Sequence, residues 1–129
     1  MNGIYKVPYF NRWMKKAKLT DQVLLRAVDE MKKGLIDADL GNGLVKKRLA
    51  IGSRGKSGGA RTIIATNKRD RWIFLVGFMK NERANITPKE EEALKEVSSD
   101  LLKLSQAEIE CVVSRKVLVE VLNEKPDAN

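Results

Sequence analysis

The stretch Gly52-Ser-Arg-Gly-Lys-Ser-Gly-Gly-Ala-Arg-Thr-Ile-Ile-Ala-Thr-Asn67 decides how this chain is read. Its first half is glycine and cation; its second half, from Ala60, is rich in β-branched residues and predicts a strand. Gly55-Lys56-Ser57 matches the end of a phosphate-binding P-loop, but the position five before Gly55 is Ala50, where that motif needs glycine. A P-loop also opens a helix, whereas this loop feeds a strand. A linker between domains is disfavoured too, because neither flank is long enough for a core of its own. The remaining reading is a loop that presents cations. From Leu44 to Arg61 there are six basic residues, Lys46, Lys47, Arg48, Arg54, Lys56 and Arg61, and no acidic one.

The flanks set the fold class. Upstream, Leu44–Ile51 reads as a strand. Downstream, Asn67–Arg71 is a polar turn, and Trp72–Lys80, the most apolar segment, reads as a central strand. Three consecutive strands with short connections predict an antiparallel meander. Before them stand a short strand at Ile4–Val7 and a helical hairpin. Phe10, Trp13, Met14 and Ala17 form one apolar stripe, and Leu24, Ala27, Val28 and Met31 the next, with Thr20 as the N-cap between them. Arg12, Lys15, Lys16 and Lys18 make the hairpin's outer face basic. Asp37–Gly43 reads as a turn-rich connection. After the strands, Thr87-Pro-Lys-Glu90 and Ser105-Gln-Ala-Glu108 are capping-box helix starts. The second of these helices is expected to run to about Asn123. The order β-α-α-β-β-β-α-α predicts an α+β fold: an N-terminal strand and helical hairpin packed on a mainly antiparallel sheet, with C-terminal helices. One domain is expected over residues 1–129, with a core at about 4–104 and a helical extension at about 105–123.

Charge narrows the function. The chain of 129 residues carries a net +8. Residues 1–83 hold 19 Lys and Arg against 7 Asp and Glu, a balance of +12; residues 84–129 hold 6 against 10, a balance of −4. A basic body points to a polyanionic partner, nucleic acid first. There is no histidine, and Cys111 is the one cysteine. A zinc site is therefore not expected, and acid–base chemistry must rest on carboxylates, lysines, arginines or tyrosines. Cys111 falls in a helical apolar pattern and reads as a buried, inert thiol. No apolar run is long enough for a membrane span, and the N-terminus lacks the apolar segment of a secretory signal, so a cytoplasmic protein is expected.

Gly55-Lys-Ser-Gly-Gly-Ala-Arg61 entering a strand, followed by Phe78-Met-Lys80-Asn-Glu-Arg83-Ala-Asn-Ile after the next strand, resembles the RelE/ParE toxin superfamily. The similarity is closest to its RelE/HigB-like branch of type II toxin–antitoxin toxins. The resemblance implies a RelE-like fold and a ribosome-dependent mRNA endonuclease that cleaves in the ribosomal A site. The messenger's own 2′-hydroxyl attacks the adjacent phosphate, with no metal and no other cofactor. It places the strand arginine of the family, which stabilises the transition state, on Arg61. The other catalytic cations fall on Lys56, Lys80 and Arg83. RNA contacts fall on Lys46, Lys47, Arg48 and Arg54, and Glu82 is a possible acid or base, although a structural salt bridge explains it as well. Relatives carry a histidine or tyrosine after the last strand; Asn85-Ile86-Thr87 has neither, which leaves Tyr5, Tyr9 or Trp72 for base stacking. The resemblance also implies a cognate antitoxin with a helix-turn-helix part, and operator DNA reached only through the toxin–antitoxin complex. Two alternatives stay open: a ParE-like toxin that binds DNA gyrase without nuclease chemistry, and a plain basic nucleic-acid-binding module.

Overall fold

A computed structural model describes residues 3–51 and 59–122. The elements, in chain order, are β1 (Gly3–Lys6), α1 (Pro8–Lys16), α2 (Asp21–Lys32), β2 (Ala38–Gly41), β3 (Leu44–Leu49), β4 (Ala60–Thr66), β5 (Arg71–Met79), α3 (Pro88–Lys103), α4 (Gln106–Ser114) and β6 (Val119–Glu120). Among the described residues, six strands form one sheet in the order β2-β3-β4-β5-β1-β6. Of these neighbouring pairs, β1 and β5 run parallel and the others antiparallel. The α+β reading and the β3-β4-β5 meander are as the sequence predicts.

Helices cover both faces of the sheet. On one face Phe10 and Met14 of α1, and Leu24, Val28 and Met31 of α2, pack against Val45, Ile64, Trp72 and Phe74. On the other, Leu94, Leu101 and Leu104 together with Ile109 of α4 cover Leu44, Ile63, Ile73 and Leu75. Because β5 is buried on both sides, its run is continuously apolar rather than alternating. Gly77 is where α1 lands: a Cβ there would come within 2.3 Å of the Trp13 ring. Phe10 bridges the contact, its ring 5.3 Å from those of both Trp13 and Phe74.

The helix starts follow from local chemistry. Pro8 and Pro88 occupy first-turn positions, where a missing N–H costs nothing. Thr87 and Ser105 each close a full capping box, with Glu90 and Glu108 respectively. Thr20 sits at the N-cap of α2, yet its hydroxyl makes no capping bond. Asp21, the next residue, instead pairs with the buried Lys6 (Nζ to Oδ1, 2.7 Å) and ties α2 to β1. At the other end of α3, the Arg71 guanidinium donates to the carbonyls of Leu101 and Leu104 at 3.1 and 2.6 Å, satisfying groups the helix leaves unpaired.

Three expectations need correction. Asp37–Gly43 is more than a connection: Ala38–Gly41 forms β2, joined to β3 through a tight turn in which Gly41, Asn42 and Gly43 all have positive φ. The last helix stops at Ser114 rather than near Asn123. Lys116 turns left-handed (φ 64°), the Val117 N–H donates back to Val112, and Val119–Glu120 pairs with β1. Cys111 is exposed, not buried. In so short a helix Ile109 alone is fully buried, and Cys111, two positions on, lies about 200° around the axis.

Candidate RNA-binding site

The site grows out of strand register. Arg48 on β3 pairs with Arg61 on β4, and Arg61 pairs with Phe78 on β5. Strand side chains alternate between faces. Leu44 and Ile63 belong to the α3–α4 face, so Lys46, Arg48 and Arg61 share that face with Phe78. The row continues into the loop after β5, where the Arg83 guanidinium lies 5.3 Å from the centre of the Phe78 ring, a cation–π contact. Arg48, Arg61 and Arg83 thus line one end of the sheet, with an aromatic ring set among them.

Carboxylates hold two of these cations. Asp37 accepts from the Arg48 backbone N–H at 2.6 Å and from its Nε at 2.8 Å. Partial burial pushes the Asp37 carboxyl up, but the hydrogen bonds from Arg48 outweigh it and leave the pKa below the ordinary value. Glu90 takes both terminal nitrogens of Arg83, and Arg83 Nε donates to the Asn85 carbonyl at 3.1 Å. The Arg83 bond, then the Thr87 N–H, lower the Glu90 pKa to about 2. The same bond raises that of Arg83. Arg61 is half-buried, and its Nη1 reaches the Ala60 carbonyl at 3.5 Å.

The remaining residues sort by position. Lys46 is half-buried and Lys80 exposed; neither forms an ion pair among the described residues. The Lys80 N–H donates to the Gly59 carbonyl (3.1 Å), so the strand end that carries Lys80 closes against the return of the glycine loop. Glu82 is exposed and makes no ion pair among the described residues; the expected salt bridge to its basic neighbour goes to Glu90 instead. Arg54 and Lys56 lie outside the described residues. Their segment leaves beside Arg48 and returns beside Arg61, because Leu49 pairs with Ala60.

Lys47 does not join the site. It points to the opposite face, is only 2% exposed, and places Nζ 2.7 Å from Glu30 Oε1 and 2.9 Å from the Leu35 carbonyl. Its assignment to RNA contact is corrected: the alternation that turns Lys46 and Arg48 one way turns Lys47 toward α2. Among the aromatic candidates, Tyr5 and Trp72 are buried at 4% and 0%, whereas Tyr9 is 60% exposed. Sequence reasoning missed the two guarding carboxylates. Glu90 was legible only as a helix-capping residue, and no local pattern ties Asp37 to Arg48, eleven positions away.

The model of the family described as the RelE toxin of the RelE/RelB toxin–antitoxin system matches residues 2–121. No curated protein matches the chain. The match spans the sheet, both helical layers and all the described site residues, and the chain belongs to the RelE toxin family.

Proposed function

We propose that this toxin is a ribosome-dependent mRNA endonuclease whose cutting surface is the Arg48–Arg61–Phe78–Arg83 end of the sheet. One observation carries the reading: strand register brings Arg61 into a cationic row beside both ends of the glycine loop. RelE toxins are generally endoribonucleases, and the family implies an antitoxin partner.

The chemistry asks for little that this surface lacks. A 2′-oxygen attacks the adjacent phosphorus, the bond from phosphorus to the 5′-oxygen breaks, and a 2′,3′-cyclic phosphate and a 5′-hydroxyl result. Charge grows on the phosphorane, where a guanidinium offers paired N–H donors and never loses its proton. Arg61 fills that role. Lys46 and Lys80 neutralise flanking phosphates, and Arg54 and Lys56 are the further cations that the family resemblance assigns to this role. Arg48 and Arg83 arrive preoriented by Asp37 and Glu90, which a phosphate must displace or share. The proton from the 2′-hydroxyl goes to Glu82 or to a lysine acting as base, and a protonated lysine of the row gives one to the departing 5′-oxygen. Tyr9 is the aromatic left exposed for a base to stack on. The ribosome positions the message, and the work belongs to the cytoplasm. The antitoxin, with a helix-turn-helix part for operator DNA, covers the row with acidic residues.

Toeprinting on translating ribosomes tests the proposal. Codon-spaced cuts in the A site are expected. Trapped gyrase cleavage complexes with intact message would replace the nuclease by a gyrase poison, and salt-sensitive RNA binding without cutting would leave only a basic binding module.

A further inference from the structure

A second site lies on the far side of the molecule. Between α4 and the β1–β6 edge is a cavity of about 620 Å³, in the range of small-molecule sites. Asp70, Glu110 and Glu120 line it together with Tyr5, Val113 and Ser114, and among the described residues no Lys or Arg does. In a chain of net charge +8 this is a local reversal of sign. Glu110 and Glu120 form no ion pair among the described residues. Asp70 Oδ1 accepts from Asn67 Nδ2 at 2.8 Å, a bond that holds the carboxyl below its ordinary pKa and hence ionised.

Tyr5 supplies the independent observation. The residue is 4% exposed, yet its hydroxyl has no hydrogen-bond partner among the described residues. The ring lies across Gly3, where a Cβ would come within 2.7 Å of the hydroxyl oxygen, and the side chain forms part of the cavity wall. The oxygen is not among the fully buried unpartnered atoms of the described residues, so it opens into the cavity, a space bounded by carboxylates.

The spacing of those carboxylates selects the ligand. Among the described residues no cluster of Asp, Glu, His or Cys converges closely enough to hold a metal ion. The charges stand on three elements, the turn before β5, α4 and β6, and Val113 and the Tyr5 ring add apolar surface to the same cavity. We propose that this cavity binds an aliphatic polyamine, whose ammonium groups are separated by methylene segments. The ammonium groups meet Asp70, Glu110 and Glu120, the Tyr5 oxygen accepts one N–H, and the carbon chain lies against Val113. The site is separate from the Arg61 row and does not depend on the nuclease reading.

Isothermal titration of the purified full chain with spermidine at physiological ionic strength tests this, with magnesium as a compact-cation control. One saturable spermidine site is expected, and magnesium at equal concentration gives none. Glu110→Gln/Glu120→Gln weakens binding at least about tenfold, and Tyr5→Phe, which removes only the hydroxyl, about threefold. Glu92→Gln/Glu96→Gln removes the same charge from exposed positions of α3 and changes affinity less than about twofold. Circular dichroism confirms that each variant is folded. Absence of a saturable site, equal losses in the two double variants, or an unchanged Tyr5→Phe affinity overturns the proposal.

Discussion

Replacing Glu30 by glutamine should destabilise the fold by about 2–3 kcal/mol by leaving the buried Lys47 short of its counter-charge. Lys47 Nζ sits with its side chain 3% exposed, 2.7 Å from Glu30 Oε1. Removing one partner of a fully buried pair leaves an uncompensated charge and costs about 3–5 kcal/mol. Glu30 keeps 26% of its side chain exposed, and Leu35 still offers a carbonyl to Lys47, so the lower range applies. For a domain of this size that corresponds to a fall of roughly 10 °C in Tm. Lys47→Met should cost no more than about 1 kcal/mol, because Glu30 can regain water while the methionine fills the space. The double variant Glu30→Gln/Lys47→Met should recover most of the loss seen in Glu30→Gln. Urea unfolding at pH 7, followed by circular dichroism, measures all three. If Glu30→Gln lies within about 0.5 kcal/mol of the parent, the buried-charge reasoning fails.

Gly77→Ala should cost about 1–3 kcal/mol by driving a methyl group into the Trp13 ring, and Trp13→Leu in the same chain should return part of it; an unchanged urea midpoint for Gly77→Ala would refute the contact. Thr87→Ala should cost about 1 kcal/mol from the lost cap of α3, read in the same assay. Glu90 is held at a pKa of about 2 against an ordinary 4.5, so the stability it contributes is present above about pH 4.5 and is lost as pH falls toward 2. An NMR titration of the Glu90 carboxyl should show this low midpoint, and Arg83→Gln should move it upward; a midpoint unmoved by Arg83→Gln would break the assigned cause.

Much of this fold was legible because it rests on local signals. Two capping boxes, two apolar helical stripes and the continuous apolar run of β5 each report their element directly. Where the reading failed, the deciding contact was distant in sequence. Val119–Glu120 becomes a strand because β1 offers an edge more than a hundred positions away. Ala38–Gly41 pairs through a bulged register that no alternation announces. The same division holds for the site. The position of Arg61 on a strand after a glycine-rich turn was readable from its neighbours in sequence. Lys47 was misread because β3 is basic on both faces, so composition alone could not tell the side turned to α2. The guanidinium–carboxylate pairs that preorient Arg48 and Arg83 exist only once the chain has folded.

The strand alternation that separates Arg61 from Lys47 also sets up a decisive comparison of the two residues. Cleavage of message on translating ribosomes should be measured for the parent, Arg61→Ala and Lys47→Met, each shown to be folded. A-site cuts ending in a 2′,3′-cyclic phosphate are expected, with a loss of about 10²–10³ in rate for Arg61→Ala and a rate within about threefold of the parent for Lys47→Met. Equal losses in the two variants, or a folded Arg61→Ala that cuts as the parent does, would contradict the role assigned to Arg61.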